Sequence, residues 1–163
     1  MRICLECADG GHLDEMLGLL DAFTGHDFFF VTFNTKMTRH AGSITRIHYV
    51  PNFKSFIDPT RLPSVFRTVY TFGYLAWNTP KTLGILLRER PDVVISTGGP
   101  VTIPIFFLSR ILGIRSIYVE SITRVDDLSG TGRMVYPIVD IFLVQWPTLL
   151  KKYRKAEFWG RII

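Results

Sequence analysis

Short apolar runs alternate with amphipathic segments along this chain. Arg2–Ala8 is nearly unbroken in its apolar character and short enough for a buried strand. Leu13, Met16, Leu17 and Leu20 follow at helical spacing and predict a helix over His12–Phe23. Phe28–Phe33 and Arg46–Val50 read as strands, with the polar stretch Lys36–Ser43 between them as a loop. Pro51–Pro63 carries three prolines and reads as irregular. From Pro63 to about Trp77 the pattern is helical and strongly aromatic, and Pro80 is placed to open a further helix ending near Arg90-Pro91. Asp92–Ser96 is a strand, and Val101–Leu112 is an apolar helix stopped by Gly113. Ser116–Glu120 is a strand, Ser121–Gly132 a polar loop, Asp140–Val144 a late strand and Leu149–Lys155 a short basic helix. Apolar strands alternating with helices predict an α/β, Rossmann-like fold, with a mostly parallel sheet covered by helices on both faces. Without repeats or a linker, the 163 residues make a single domain, 1–163.

Sheets of this class bind ligands outside the carboxyl ends of their strands. Three loops at such ends are unusual: Asp9-Gly10-Gly11-His12, Ser96-Thr97-Gly98-Gly99-Pro100, and the stretch opening with Glu120-Ser121-Ile122-Thr123-Arg124. Glycine pairs permit positive φ and close backbone approach. A helix starting beyond them aims free N–H groups at an anion. Gly10, Gly11, Gly98 and Gly99 are therefore candidates to cradle phosphate, with Arg124 as a bidentate donor. The pattern is neither G-x-G-x-x-G nor a P-loop, and such a junction also occurs as a plain tight turn. His12 and Glu120 are candidate bases. His12 is preferred, because histidine ordinarily titrates near pH ~6.5.

A formal charge of +5 and a pI of about 9.4 favour an anionic partner. Thirteen Phe and a mean hydropathy of +0.22 turn that preference from nucleic acid toward an anionic membrane surface. Arg67, Arg110 and Arg115 break the most apolar stretches, so no transmembrane helix is expected, and the N-terminal apolar run is too short for a signal peptide. Over 61–79, Phe66, Tyr70 and Trp77 share one side of an aromatic helix flanked by Arg61, Arg67 and Lys81. That composition suits a membrane interface, and it equally suits a core helix. Cys4 and Cys7 point to opposite faces of a strand and read as core residues of a protein in a reducing compartment. There is no Asp-x-Asp motif, and neither metal nor cofactor is implied.

Four stretches carry a resemblance: GGHLDEM, PDVVISTGGPVTIP, YVESITRVDDLSGTGRMVYPIVDIFLVQWPTL and FWGRII. Together they resemble the membrane-side, acceptor-binding subunit of the two-subunit UDP-N-acetylglucosamine transferase of asparagine-linked glycan assembly. PssD-type polysaccharide subunits and the N-terminal half of MurG-type transferases are similar. The resemblance implies half of a GT-B glycosyltransferase, with a separate UDP-sugar-binding catalytic subunit as partner. The acceptor would be a polyprenyl- or dolichyl-diphosphate-linked sugar. It further implies that Gly10, Gly11, Gly98, Gly99, Ser121 and Arg124 hold that acceptor and that His12 or Glu120 takes its proton. Eukaryotic members carry an N-terminal membrane helix that these residues do not include, so a peripheral protein on the cytoplasmic face of a prokaryotic cell membrane is expected. Two other readings stand beside it: a non-catalytic membrane scaffold that activates a partner transferase, and a stand-alone nucleotide-binding protein.

Overall fold

The computed structural model describes residues 1–52 and 64–162, with side chains in the long central helix from Gly73 onward. The elements are β1 (Arg2–Cys7), α1 (Gly11–Leu17), a 3-10 turn (Leu20–Phe23), β2 (Asp27–Phe33), α2 (Lys36–Ala41) and β3 (Arg46–Val50). Next come α3 (Ser64–Glu89), β4 (Val93–Gly98), α4 (Thr102–Leu112), β5 (Arg115–Val119), α5 (Gly130–Val135) and β6 (Ile141–Leu143). A second 3-10 turn (Pro147–Lys151) and β7 (Ala156–Glu157) follow. The described strands form one seven-stranded sheet in the order β3-β2-β1-β4-β5-β6-β7, and every pairing is parallel. This is the doubly wound order, with its reversal between β1 and β4.

Strand alternation divides the core in two. Cys4, Phe29, Val31, Val94, Tyr118 and Phe142 face α3, α4 and α5. Ile3, Leu5, Cys7, Phe30, Ile95 and Val119 face α1 and α2. Cys4 and Cys7 are both buried and free, one on each side, as the strand reading expected.

Several element boundaries differ from the sequence expectation. Lys36–Ser43 is not a loop: Lys36–Ala41 is a helix. Thr35 and Thr38 close a reciprocal capping box, and Thr38 and Ala41 bury one side of the turn. The two helices expected around Pro80 are one helix of 26 residues. Pro80 offers no N–H to the preceding turn, yet the Asn78 amide donates to Tyr74 O (3.1 Å) and the Thr79 hydroxyl to Leu75 O (2.7 Å). The buried positions Tyr74, Asn78, Thr82, Ile85 and Glu89 run past Pro80 without a phase break. The first helix is shorter than expected and ends at Gly18, and the 3-10 turn finishes the segment. The basic helix expected over Leu149–Lys155 is the 3-10 turn Pro147–Lys151. Phe158–Ile162 has no regular element; the edge strand is Ala156–Glu157. Phe66 and Tyr70 have side chains outside the described set, and residues 53–63 of the stretch Pro51–Pro63, expected to be irregular, lie outside it entirely.

Candidate functional site

The site is built where β1 and β4 part. The pairing of β1 with β4 slips between Glu6 and Cys7, so that Glu6 opposes Ser96 and Cys7 opposes Gly98. Thr97 is the extra residue of this bulge, and bulges re-aim groups beside sites. Its carbonyl accepts from His12 Nδ1 at 2.8 Å, and its hydroxyl donates to the His12 carbonyl at 2.6 Å. A carbonyl can only accept, so Nδ1 carries the proton. Nε2 is then the basic nitrogen and has no hydrogen-bond partner among the described residues.

Glycine serves two different purposes here. Gly10, at φ 69°, caps α1 in a conformation that side chains avoid, and its carbonyl takes the Leu13 and Asp14 amides. Gly98 (φ 115°) and Gly99 (φ 141°) hold positive φ as well, and packing adds a second reason for glycine at both. A Cβ on Gly98 would stand 2.9 Å from His12 Cε1, and one on Gly99 would stand 2.9 Å from Ala8 Cβ. The Gly98 amide is already spent on Ser96 Oγ (2.9 Å), and its carbonyl takes the Ala8 amide (2.9 Å).

Beneath this loop lies Glu6, fully buried, its carboxylate accepting from the Ser96 and Thr102 hydroxyls at 2.6 Å each. Burial pushes its carboxyl up to about 7, and the two hydroxyls hold it back from rising further.

The third loop leaves β5 at Glu120, which has no solvent exposure. One carboxylate oxygen accepts the Ser121 amide (3.0 Å), and the other accepts the Ser129 amide (2.9 Å) and hydroxyl (3.1 Å). Burial raises this carboxyl, opposed by those amides. A Cβ on Gly132 would collide with Glu120 Oε2, so α5 approaches closely only because glycine stands there. The late motif clamps the same loop from outside. Gln145 donates to Glu120 O (3.1 Å), Trp146 to Ile122 O (2.6 Å) and Thr148 to Val125 O (2.7 Å). Tyr153 bonds Asp127, and Arg161 lies 3.8 Å over the Trp146 ring.

These loops enclose an open cleft of about 500 Å³. Of the residues expected to form a site, Gly11, His12, Gly99, Ser121 and Arg124 line it. Gly10, Gly98 and Glu120 stand behind it and shape its walls. Trp77 is distant in role: it lies on α3 and is 65% exposed. Asp9, Tyr118 and Ser129–Thr131, which were not among the expected site residues, also line the cleft. The run Leu-Ser-x-Thr-Gly at 128–132 was the available signal for the last of these. Asp9 reads as a turn residue, and Tyr118 is hidden within a strand. Asp9 and Arg124 place one carboxylate and one guanidinium on the cleft wall.

The fold has well-defined relatives. MurG of Acinetobacter baumannii superimposes with a TM-score of 0.73 at 15% identity, covering 98% of this chain and 45% of that one. A UDP-GlcNAc 2-epimerase from Methanocaldococcus jannaschii gives 0.64 at 14% identity, covering 99% of this chain and 46% of that one. The chain therefore spans just under half of these proteins and has the Rossmann-like fold of one half of a GT-B glycosyltransferase. Among curated proteins, "UDP-N-acetylglucosamine transferase subunit ALG14" of Mus musculus is 28% identical over 100% of this chain and 83% of its own length. The Schizosaccharomyces pombe protein with the same description is 31% identical over 93% of this chain and 78% of its own length. Residues 3–162 match the family described as "Oligosaccharide biosynthesis protein Alg14 like", and with that coverage the chain belongs to the Alg14 family.

Proposed function

We propose that this chain is the acceptor-binding, membrane-associating subunit of a heteromeric UDP-N-acetylglucosamine transferase. Its acceptor is a sugar carried on a polyprenyl diphosphate. Family membership and the names of the relatives supply the reaction class. The observation that carries the residue assignment is His12: its ring is fixed through Nδ1 to the Thr97 carbonyl, and its basic nitrogen is left over at the wall of the cleft. In this reading Nε2 takes the proton of the acceptor hydroxyl as that oxygen bonds to the donor's anomeric carbon. The bond from that carbon to the nucleotide diphosphate breaks, and UDP leaves with the electron pair. A single displacement inverts the anomeric centre.

Arg124 and the backbone at Gly11 and Gly99 are the groups available to the acceptor diphosphate, while Ser121, its amide held by Glu120 and its hydroxyl by Glu15, positions the loop that carries Arg124. Gly10 and Gly98 support them from behind. Glu120 holds the third loop in place, which suits it better than the role of base, because both its oxygens are engaged and neither lines the cleft. The donor is bound by a separate chain.

No helix among the described residues is long and apolar enough to cross a membrane. Peripheral attachment at the cytoplasmic face is proposed through the outer surfaces of α3 and α4, which pack on each other. Trp77, Phe107 and Ile111 are 65%, 57% and 65% exposed there, among the basic residues Lys81, Arg88 and Arg110.

The test is steady-state kinetics of the reconstituted pair. His12→Gln keeps a hydrogen-bonding side chain but cannot carry the proton, and it should lower kcat by about 10²–10⁴-fold. Arg124→Ala should chiefly raise the acceptor KM. Co-purification with the partner is the control. A His12→Gln pair that turns over at the wild-type rate overturns the assignment and leaves this chain as a scaffold.

A further inference from the structure

We infer that Glu15 is a positioning residue for the proton transfer at His12, an inference that rests on the reading just proposed. His12 and Glu15 stand three residues apart on α1 and so share a side of the helix. Glu15 is only 8% exposed. Its two oxygens have different occupations. Oε1 accepts the Ser121 hydroxyl at 2.9 Å and the Ile122 amide at 2.8 Å, which ties the loop bearing Arg124 to the helix bearing His12. Oε2 is buried, accepts no hydrogen bond among the described residues and lies 3.9 Å from His12 Nδ1.

A buried carboxylate oxygen with nothing to accept is costly. The loop contacts alone would be served by a neutral amide side chain of the same shape. What Oε2 adds is a negative charge beside the imidazole. While His12 is neutral, that charge has little to attract. When Nε2 takes the acceptor proton, the ring becomes a cation, and the carboxylate is already in place on its Nδ1 side. Attraction across 3.9 Å is stronger where water is excluded than in bulk. The Nδ1 hydrogen remains on the Thr97 carbonyl throughout, so the ring does not turn and no proton moves to Glu15. Glu15 thus favours the protonated base while holding the acceptor-side loop at a fixed distance from it.

The experiment uses the reconstituted pair with UDP-N-acetylglucosamine and a lipid-linked acceptor. Glu15→Gln retains an acceptor for Ser121 and Ile122 and removes only the charge. It should lower kcat about 10–100-fold, a loss of the size seen when the outer partner of a metal-bound histidine is removed, with acceptor KM and melting temperature near wild type. A purely structural Glu15 would move KM or stability and leave kcat alone. In a His12→Gln background, Glu15→Gln should cause no further loss, because its effect passes through the histidine. Glu15→Met fills the same volume and serves as the second variant if the glutamine chain fails to co-purify; it too must lose kcat. Wild-type kcat in a co-purifying Glu15 variant, or an undiminished loss in the His12→Gln background, overturns the inference. If His12→Gln is slow and Glu15→Gln is not, only this inference fails. If His12→Gln itself is fast, the base assignment falls and takes this inference with it.

Discussion

Glu6 shows how a single buried group shapes the cleft without touching it. Its carboxylate anchors Ser96, whose hydroxyl in turn holds the Gly98 amide. Its folded-state value of about 7 stands above the ordinary 4.5, so the fold prefers the protonated form. That preference adds stability fully below pH ~4.5, and the contribution fades as pH rises through about 7. Over that window the slope is about 1.4 kcal/mol per pH unit. Glu6→Gln should flatten it, leaving a variant at least as stable as wild type at pH 8; urea unfolding at several pH values reads this directly. Gly132→Ala should cost about 1–3 kcal/mol in the same assay, because the added methyl collides with the Glu120 carboxylate on a helix that cannot withdraw. The sequence made the glycines visible but not their purpose. Gly98 and Gly99 read as a cradle for phosphate, yet their nearest obstacles are His12 and Ala8. Nothing in a one-dimensional pattern shows that Thr97 would bulge out to meet His12, because the slip belongs to the pairing of two strands 90 residues apart.

At the scale of elements, hydrophobic periodicity located every strand except the two-residue β7 and placed α1, α3 and α4, because burial on one or both faces leaves a regular signature. It failed where polar side chains stabilise short helices. Thr35 and Thr38 make α2, and Ser129 caps α5 by accepting the Gly132 amide (2.9 Å), both within stretches too polar to show a helical stripe. It also failed at Pro80, where Asn78 and Thr79 donate to carbonyls of the previous turn. Pro80 is exposed, and replacing it by alanine should raise stability by about 1–3 kcal/mol in urea unfolding, because the missing backbone hydrogen bond is restored. The outer surface of α3 and α4 carries the membrane proposal. A burial of roughly 1.5–3 kcal/mol per apolar side chain predicts that Trp77→Ser with Phe107→Ser weakens partition to anionic liposomes at least about tenfold. Unchanged melting temperature with unchanged liposome binding would place the membrane contact on another surface.

For the molecule as a whole, alternation of strands and helices implied a parallel sheet, but not its order. The order matters because it puts the reversal between β1 and β4, and that is where the ends of β1, β4 and β5 supply the three loops of one cleft. The late motif was legible as a block of specific residues; that its Gln145 and Trp146 brace the third loop became apparent only from their partners. The cleft is open, and the chain spans 45% of the MurG chain on which it superimposes. The site is proposed to be complete only with a second chain. The direct measurement is transfer from UDP-N-acetylglucosamine to a lipid-linked acceptor, by the purified chain alone and then with the proposed UDP-sugar-binding partner added. The chain alone should show no turnover above background, and the pair should turn over robustly. Sustained turnover by the chain alone, at a rate the partner does not change, would contradict that proposal.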